Sequence, residues 1–174
     1  MKRQWYRLDN AALIFPAIRN NRWVNTFRLS ADLTEPVDPD LLAQAVKDLM
    51  PRFPAFYVRL GTGLFWYYLQ EIDKAPQPMP EYAYPLTHMN RREQKRCCFR
   101  VLYHENRIAV EYFHVITDGH GGEIFLKSLI ARYLELRYSV DIPAGRGVKD
   151  ICESPRAEEL RDAFQSCSGD RSEE

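Results

Sequence analysis

The chain has 174 residues, 45% of them hydrophobic and 13% aromatic, with 24 basic side chains against 24 acidic ones. That length suffices for one domain with a sizeable core, and the apolar content excludes a disordered chain. Zero net charge removes the electrostatic footprint of a nucleic-acid binder, and no apolar run approaches the ~20 residues needed to span a bilayer.

The basic opening MKRQWYRLDN is not followed by an apolar stretch of signal-peptide length, because residues 11–18 are few and contain Pro16. A soluble, cytoplasmic protein is the expectation. Residues 23–29 (WVNTFRL) alternate, with Trp23, Phe27 and Leu29 on one face of a strand. A helix is expected within 35–50. Asp38 caps its free N–H groups, and Pro39 sits where a missing N–H costs nothing. Leu42, Ala45, Val46 and Leu49 form its apolar stripe, and Pro51 and Pro54 stop it.

Residues 56–60 and 64–69 flank Gly61-Thr62-Gly63 and read as a hairpin. The second run, LFWYYL, is apolar on both faces. Pro76, Pro78, Pro80 and Pro85 make 75–85 an extended connector that is neither helix nor central strand. The basic run NRREQKR at 90–96 reads as a solvated loop. A second hairpin joins 99–103 to 108–113 around His104-Glu105-Asn106-Arg107, with Ile108, Val110, Tyr112 and His114 on one face.

Beyond the glycines at 119, 121 and 122, a helix runs to about Tyr138 on a stripe of Leu126, Leu129, Ile130, Tyr133 and Leu134. Cys97 and Cys98, as neighbours on a strand, point to opposite faces, and the sequence has no C-x-x-C. The cysteines are read as reduced thiols. Residues 1–143 form a lobe, and the polar stretch 144–174 reads as a linker or tail with a weak helix at 156–165. Hairpins mixed with helices imply an α+β fold: a mixed, mainly antiparallel sheet with helices packed on one side.

One segment carries chemistry. In YFHVITDGHGG, at 112–122, a strand ends, His114 and Asp118 follow four residues apart, and glycines lead into a helix. Histidine titrates near neutral pH and suits a general base. An acidic neighbour orders such a loop by pairing with an Arg. The glycines lack the G-x-x-x-x-G-K-[ST] phosphate-binding pattern. His114, Asp118 and His120 do not show the usual spacing of paired metal-ligand histidines, so no metal site is expected.

YFHVITDGHGG resembles the H-x-x-x-D-G signature of the CoA-dependent acyltransferase superfamily, which includes chloramphenicol acetyltransferase and peptide-synthetase condensation domains. LDNAALIFPAIRNNRWVNTFRLS, VDPDLLAQAV and PRFPAFYVRL are similar to its bacterial alcohol acetyltransferase-like branch. The resemblance spans roughly residues 9–140 and implies one half, the N-terminal, of a two-lobed chloramphenicol acetyltransferase-like fold. It implies that His114 is the base and that Asp118 is structural, paired with an Arg for which Arg19 and Arg22 are candidates. Gly119 would leave room for substrate beside His114. The implied donor is acyl-CoA as co-substrate, with no bound cofactor and no metal, and the implied acceptor is a small alcohol or amine.

Members of the superfamily are about twice this long, and a D-F-G-W-G-type motif of the second half is missing here. The resemblance therefore implies a C-terminal lobe supplied in cis or in trans. The open face between halves would favour association, including a homo-oligomer. A non-catalytic acyltransferase-like binding module or a split-enzyme subunit is the alternative.

Overall fold

A computed structural model describes residues 5–7, 26–62, 67–81, 84–87, 89–156 and 159. The described elements are β1 (Trp5–Arg7), β2 (Thr26–Asp32), α1 (Pro39–Asp48), β3 (Val58–Thr62), β4 (Tyr67–Glu71), β5 (Met79–Pro80), α2 (Arg91–Gln94), β6 (Phe99–His104), β7 (Arg107–Phe113) and α3 (Gly119–Tyr138).

They build two sheets, one ordered β1-β4-β3 and one ordered β2-β7-β6-β5. Every pairing is antiparallel except β5 with β6. The α+β class and the mixed, mainly antiparallel sheet are as expected, with the single parallel pair made by the proline-rich connector at an edge.

Helix α1 forms where its signals place it. Asp38 Oδ1 accepts from the N–H groups of Asp40 and Leu41 at 2.9 and 3.1 Å, and Pro39 opens the first turn. Leu42, Ala45, Val46 and Leu49 are all fully buried. Asp38→Ala should cost about 1 kcal/mol, the usual value of a lost N-cap, read as a lower urea midpoint at unchanged slope.

The stripe of α1 packs on α3 and on the face of β7 that carries Ile108, Val110 and Tyr112. Phe125 of α3 sits among Phe53, Phe56, Tyr57, Phe99 and Tyr112. Both long helices thus cover one face of the larger sheet. Cys97 belongs to this core and Cys98 to a second cluster with Val58, Leu60, Leu69, Met89, Phe113 and Val115. Both thiols are free, and burial pushes Cys97 up to about 12 and Cys98 well above its usual range.

Three local expectations change. The first hairpin does not turn at Gly61: the ladder continues through Gly61↔Tyr68 to Thr62↔Tyr67, leaving 63–66 as the connection, outside the described residues. A Cβ at Gly61 would fall 2.4 Å from the Tyr68 ring, so the glycine makes room for a ring across the ladder. The basic run at 90–96 is not a loop. Asn90 and Glu93 form a capping box that starts the one-turn α2. The glycines at 119, 121 and 122 lie inside the first turn of α3. The expected strand start at Trp23 and most of the helix at 156–165 lie outside the described residues.

The other face of β7 holds a carboxylate that strand alternation alone assigns to solvent. Glu111 is fully buried. It stands between Arg28 of β2 and Arg100 of β6 in the sheet register. It accepts from Arg28 Nη1 at 3.1 Å, Arg100 Nε at 2.8 Å and the Leu86 N–H at 2.8 Å. Residues 84–87 cross this face, and Arg100 also donates to the Thr87 carbonyl at 2.7 Å. Glu81 grips Arg28 through two bonds of 2.6 and 2.8 Å, which hold its carboxyl below the usual range. Glu111→Gln keeps the shape but removes the buried charge that Arg28 and Arg100 share, leaving them Glu81 and Glu93 alone. It should lower stability by about 2 kcal/mol, measurable by urea unfolding.

Residues after α3 return along it. The Lys149 N–H donates to Ser128 Oγ at 3.0 Å, and Ile151 packs against the main core.

Candidate active site

Strand β7 ends at Phe113, and His114 is the next residue, exposed at the strand's end. Its ring lies 4.5 Å from the Phe27 ring, tilted by 39°. Phe27 in turn stacks on Tyr112 at 5.0 Å and 25°. Tyr112, Phe27 and His114 therefore form a column running from the buried core to the surface. The alternation read in the sequence carries over past the strand end: Tyr112 is sealed while His114 reaches solvent.

Tyr112 ties the column to the helix. Its hydroxyl donates to the Gly122 carbonyl at 2.8 Å, and burial pushes the phenol well above its ordinary range, so it stays neutral. The helix can approach this closely because position 122 is glycine. A Cβ there would meet Phe27 at 3.0 Å and Tyr112 at 3.2 Å.

Asp118 is the N-cap of α3. Its Oδ1 accepts from the Gly121 N–H at 2.8 Å, and its carbonyl accepts from the Gly122 N–H at 3.0 Å. Gly121 is equally constrained, since a Cβ would fall 2.2 Å from Thr117 Oγ1. At Gly119 the opposite holds: a Cβ would have nothing within 4 Å, so space is open beside the loop. Val115, buried in the second cluster, anchors the segment between His114 and Asp118.

The site residues thus fall on one short stretch. His114 and Asp118 lie between the end of β7 and the start of α3, Gly119 is the first residue of α3, and His120 is exposed on its first turn. Arg19 and Arg22 lie outside the described residues. Among the described residues no group of three or more His, Cys, Asp or Glu side chains could hold a metal ion. Nor is any helix there long and apolar enough to cross a membrane.

Phe27 is the functional neighbour that sequence reading missed. Its place on the apolar face of a strand was legible, but its position under the imidazole depends on the β2–β7 register, in which Phe27 pairs with Tyr112. A cleft at the first turn of α3 was also missed. It is bordered by Gly121, Ile124 and residues 52–56, none of which the sequence singles out as lining a site.

No protein-family profile matches the chain, and no curated protein matches it in sequence. Solved structures do. The condensation domain of the Monacolin K polyketide synthase MokA has a TM-score of 0.59 at 12% identity, covering 94% of this chain and 40% of that one. The starter condensation domain of rhizomide synthetase RzmA has 0.59 at 13%, covering 81% and 41%. This is a condensation-domain fold. The X-domain in its complex with OxyB from teicoplanin biosynthesis is also similar, at 0.59 and 15% identity, covering 83% and 36%. The chain spans about two-fifths of the length of these structures. Within the condensation-domain fold, His114 stands where a sheet strand hands over to a capped helix.

Proposed function

We propose that this chain is part of an acyltransferase in which His114 is the general base. The imidazole takes the proton from the hydroxyl or amine of a small acceptor, and the acceptor's lone pair attacks the thioester carbonyl of an acyl-CoA. The tetrahedral adduct collapses, the carbon–sulfur bond breaks, and the proton passes from the imidazolium to the departing CoA sulfur. Asp118 acts as a positioning residue: by capping α3 it fixes the loop that carries His114. Gly119 keeps the acceptor's approach open. A second lobe, in cis or in trans, supplies the remaining walls and the stabilisation of the developing oxyanion.

The observation that carries this reading is the exposed His114 between β7 and the Asp118-capped helix of a condensation-domain fold. The test is acceptor-dependent thiol release from acetyl-CoA, offered a panel of small alcohols and amines, by the full natural protein that contains this chain. Release that requires the acceptor and His114 is expected. Its absence with every acceptor would sink the reading.

A second reading has one observation in its favour. One of the similar structures is a domain solved in complex with another protein, OxyB. A binding module of that kind would hold a partner or a ligand without thiol release.

A further inference from the structure

The cleft at the start of α3 is mainly apolar, with the charged side chains of Arg52, Lys149 and Glu159 among its lining. It encloses about 220 Å³, below the roughly 300–1,000 Å³ that holds a drug-sized ligand. Phe53, Phe56, Ile124 and Pro155 supply apolar lining, and Arg52, Lys149 and Glu159 the charged groups. Arg52 is only 4% exposed, and its Nε has no hydrogen-bond partner among the described residues. A buried guanidinium with a spare donor is costly unless an anion compensates it.

In this structure the anion is the chain's own. Both Glu159 oxygens accept from the two Arg52 Nη groups, at 2.8 and 2.9 Å, and Glu159 Oε1 also accepts from Lys149 Nζ at 2.7 Å. The Arg52 bonds, aided by Lys149, hold the Glu159 carboxyl far below its usual range, against the opposing effect of partial burial. Glu159 reaches this place from beyond the last regular helix, and its side chain is 28% exposed. The Arg52 fork is matched by a planar carboxylate bound through both oxygens.

We propose that this cleft is a binding site for a short aliphatic carboxylate, whose head takes the place that Glu159 now holds on Arg52 and Lys149 and whose chain lies along Phe53, Phe56, Ile124 and Pro155. Glu159 is then an internal occupant that a ligand displaces. His114 does not line the cleft, so the proposal stands without the acyl-transfer reading.

Calorimetric titration of the 174-residue chain with sodium hexanoate tests it, with 1-hexanol and inorganic phosphate as comparison ligands. Glu159→Gln removes the competing carboxylate and should tighten hexanoate binding about tenfold, the scale of one charge-assisted contact. Hexanol and phosphate should each bind more weakly than hexanoate. Adding Lys149→Gln to that variant should return the affinity towards the wild-type value. Ile124→Trp in the otherwise native chain fills the cleft and should abolish binding, a check that does not depend on how Glu159→Gln folds. His114→Ala should leave hexanoate binding unchanged. The proposal is overturned if Glu159→Gln folds and gains nothing, if hexanol or phosphate matches hexanoate, or if Ile124→Trp or His114→Ala gives the opposite result.

Discussion

Replacing His114 with Ala should lower acyl transfer by about 10²–10⁴-fold, the usual worth of a positioned general base, with the thermal midpoint almost unmoved. The two halves of that expectation come from the same column of rings. Tyr112 and Phe27 form the buried part, and the imidazole rests on Phe27 at the exposed end. Truncating His114 removes the proposed base but leaves the Tyr112–Gly122 hydrogen bond and the helix start intact. Variants of Asp118 separate chemistry from positioning. Asp118→Asn keeps an oxygen for the Gly121 N–H and should retain most of the activity. Asp118→Ala loses the cap, so the loop is no longer held, and kcat should fall while KM for acyl-CoA stays close to wild type. Failure of the conservative variant to rescue would remove Asp118 from the positioning role. An H114A protein within a few-fold of wild type would remove the base.

How legible these elements were depends on whether their causes are local. Helix α1 was readable in full because its cap, its first-turn proline and its stripe all lie within a dozen residues. The β6–β7 hairpin was readable for the same reason. Its two-residue turn is centred on Glu105 and Asn106, with Glu105 at a φ of 49°, and alternation on either side sets the register. The hairpin of β3 and β4 was misplaced because two glycines compete for the turn, and what decides is the Tyr68 ring lying across from Gly61. Glu111 was hidden more deeply. Alternation correctly turned Ile108, Val110 and Tyr112 toward the helices, but only tertiary structure lays residues 84–87 over the opposite face and supplies Arg28 and Arg100. At the candidate site, the order of His114, Asp118 and the glycines was written in the sequence. The start of α3 was not, because a run of glycines argues against a helix until the Asp118 cap and the close approach to Phe27 and Tyr112 are seen.

Phe125 was missed by the stripe of α3 and should be the most costly core position to truncate. A single 3.6-residue stripe picks Leu126, Leu129 and Tyr133 and leaves Phe125 beside it, yet Phe125 is fully buried. The helix is covered on more than one side, by α1 and by the 53–57 segment as well as by the sheet. The Phe125 ring stacks on Phe56 at 4.8 Å and meets Phe53 and Phe99 edge-on at 5.2 Å each. Phe125→Ala should cost about 3–5 kcal/mol, since it removes a large ring and leaves a cavity whose walls are themselves rigid aromatics. Against a typical total of about 5–15 kcal/mol, that is a large share of the fold's stability. Phe125→Leu refills most of the volume and should cost under about 1.5 kcal/mol if repacking succeeds. Urea unfolding of the two variants gives the comparison. Because Phe56 borders the cleft and Tyr112 supports the His114 column, the alanine variant should also weaken both sites before the chain unfolds. Equal costs for Ala and Leu would mean that the loss comes from aromatic contact geometry rather than from the cavity. A cost under about 1 kcal/mol for Ala would show that the ring cluster does not hold α3 against the sheet.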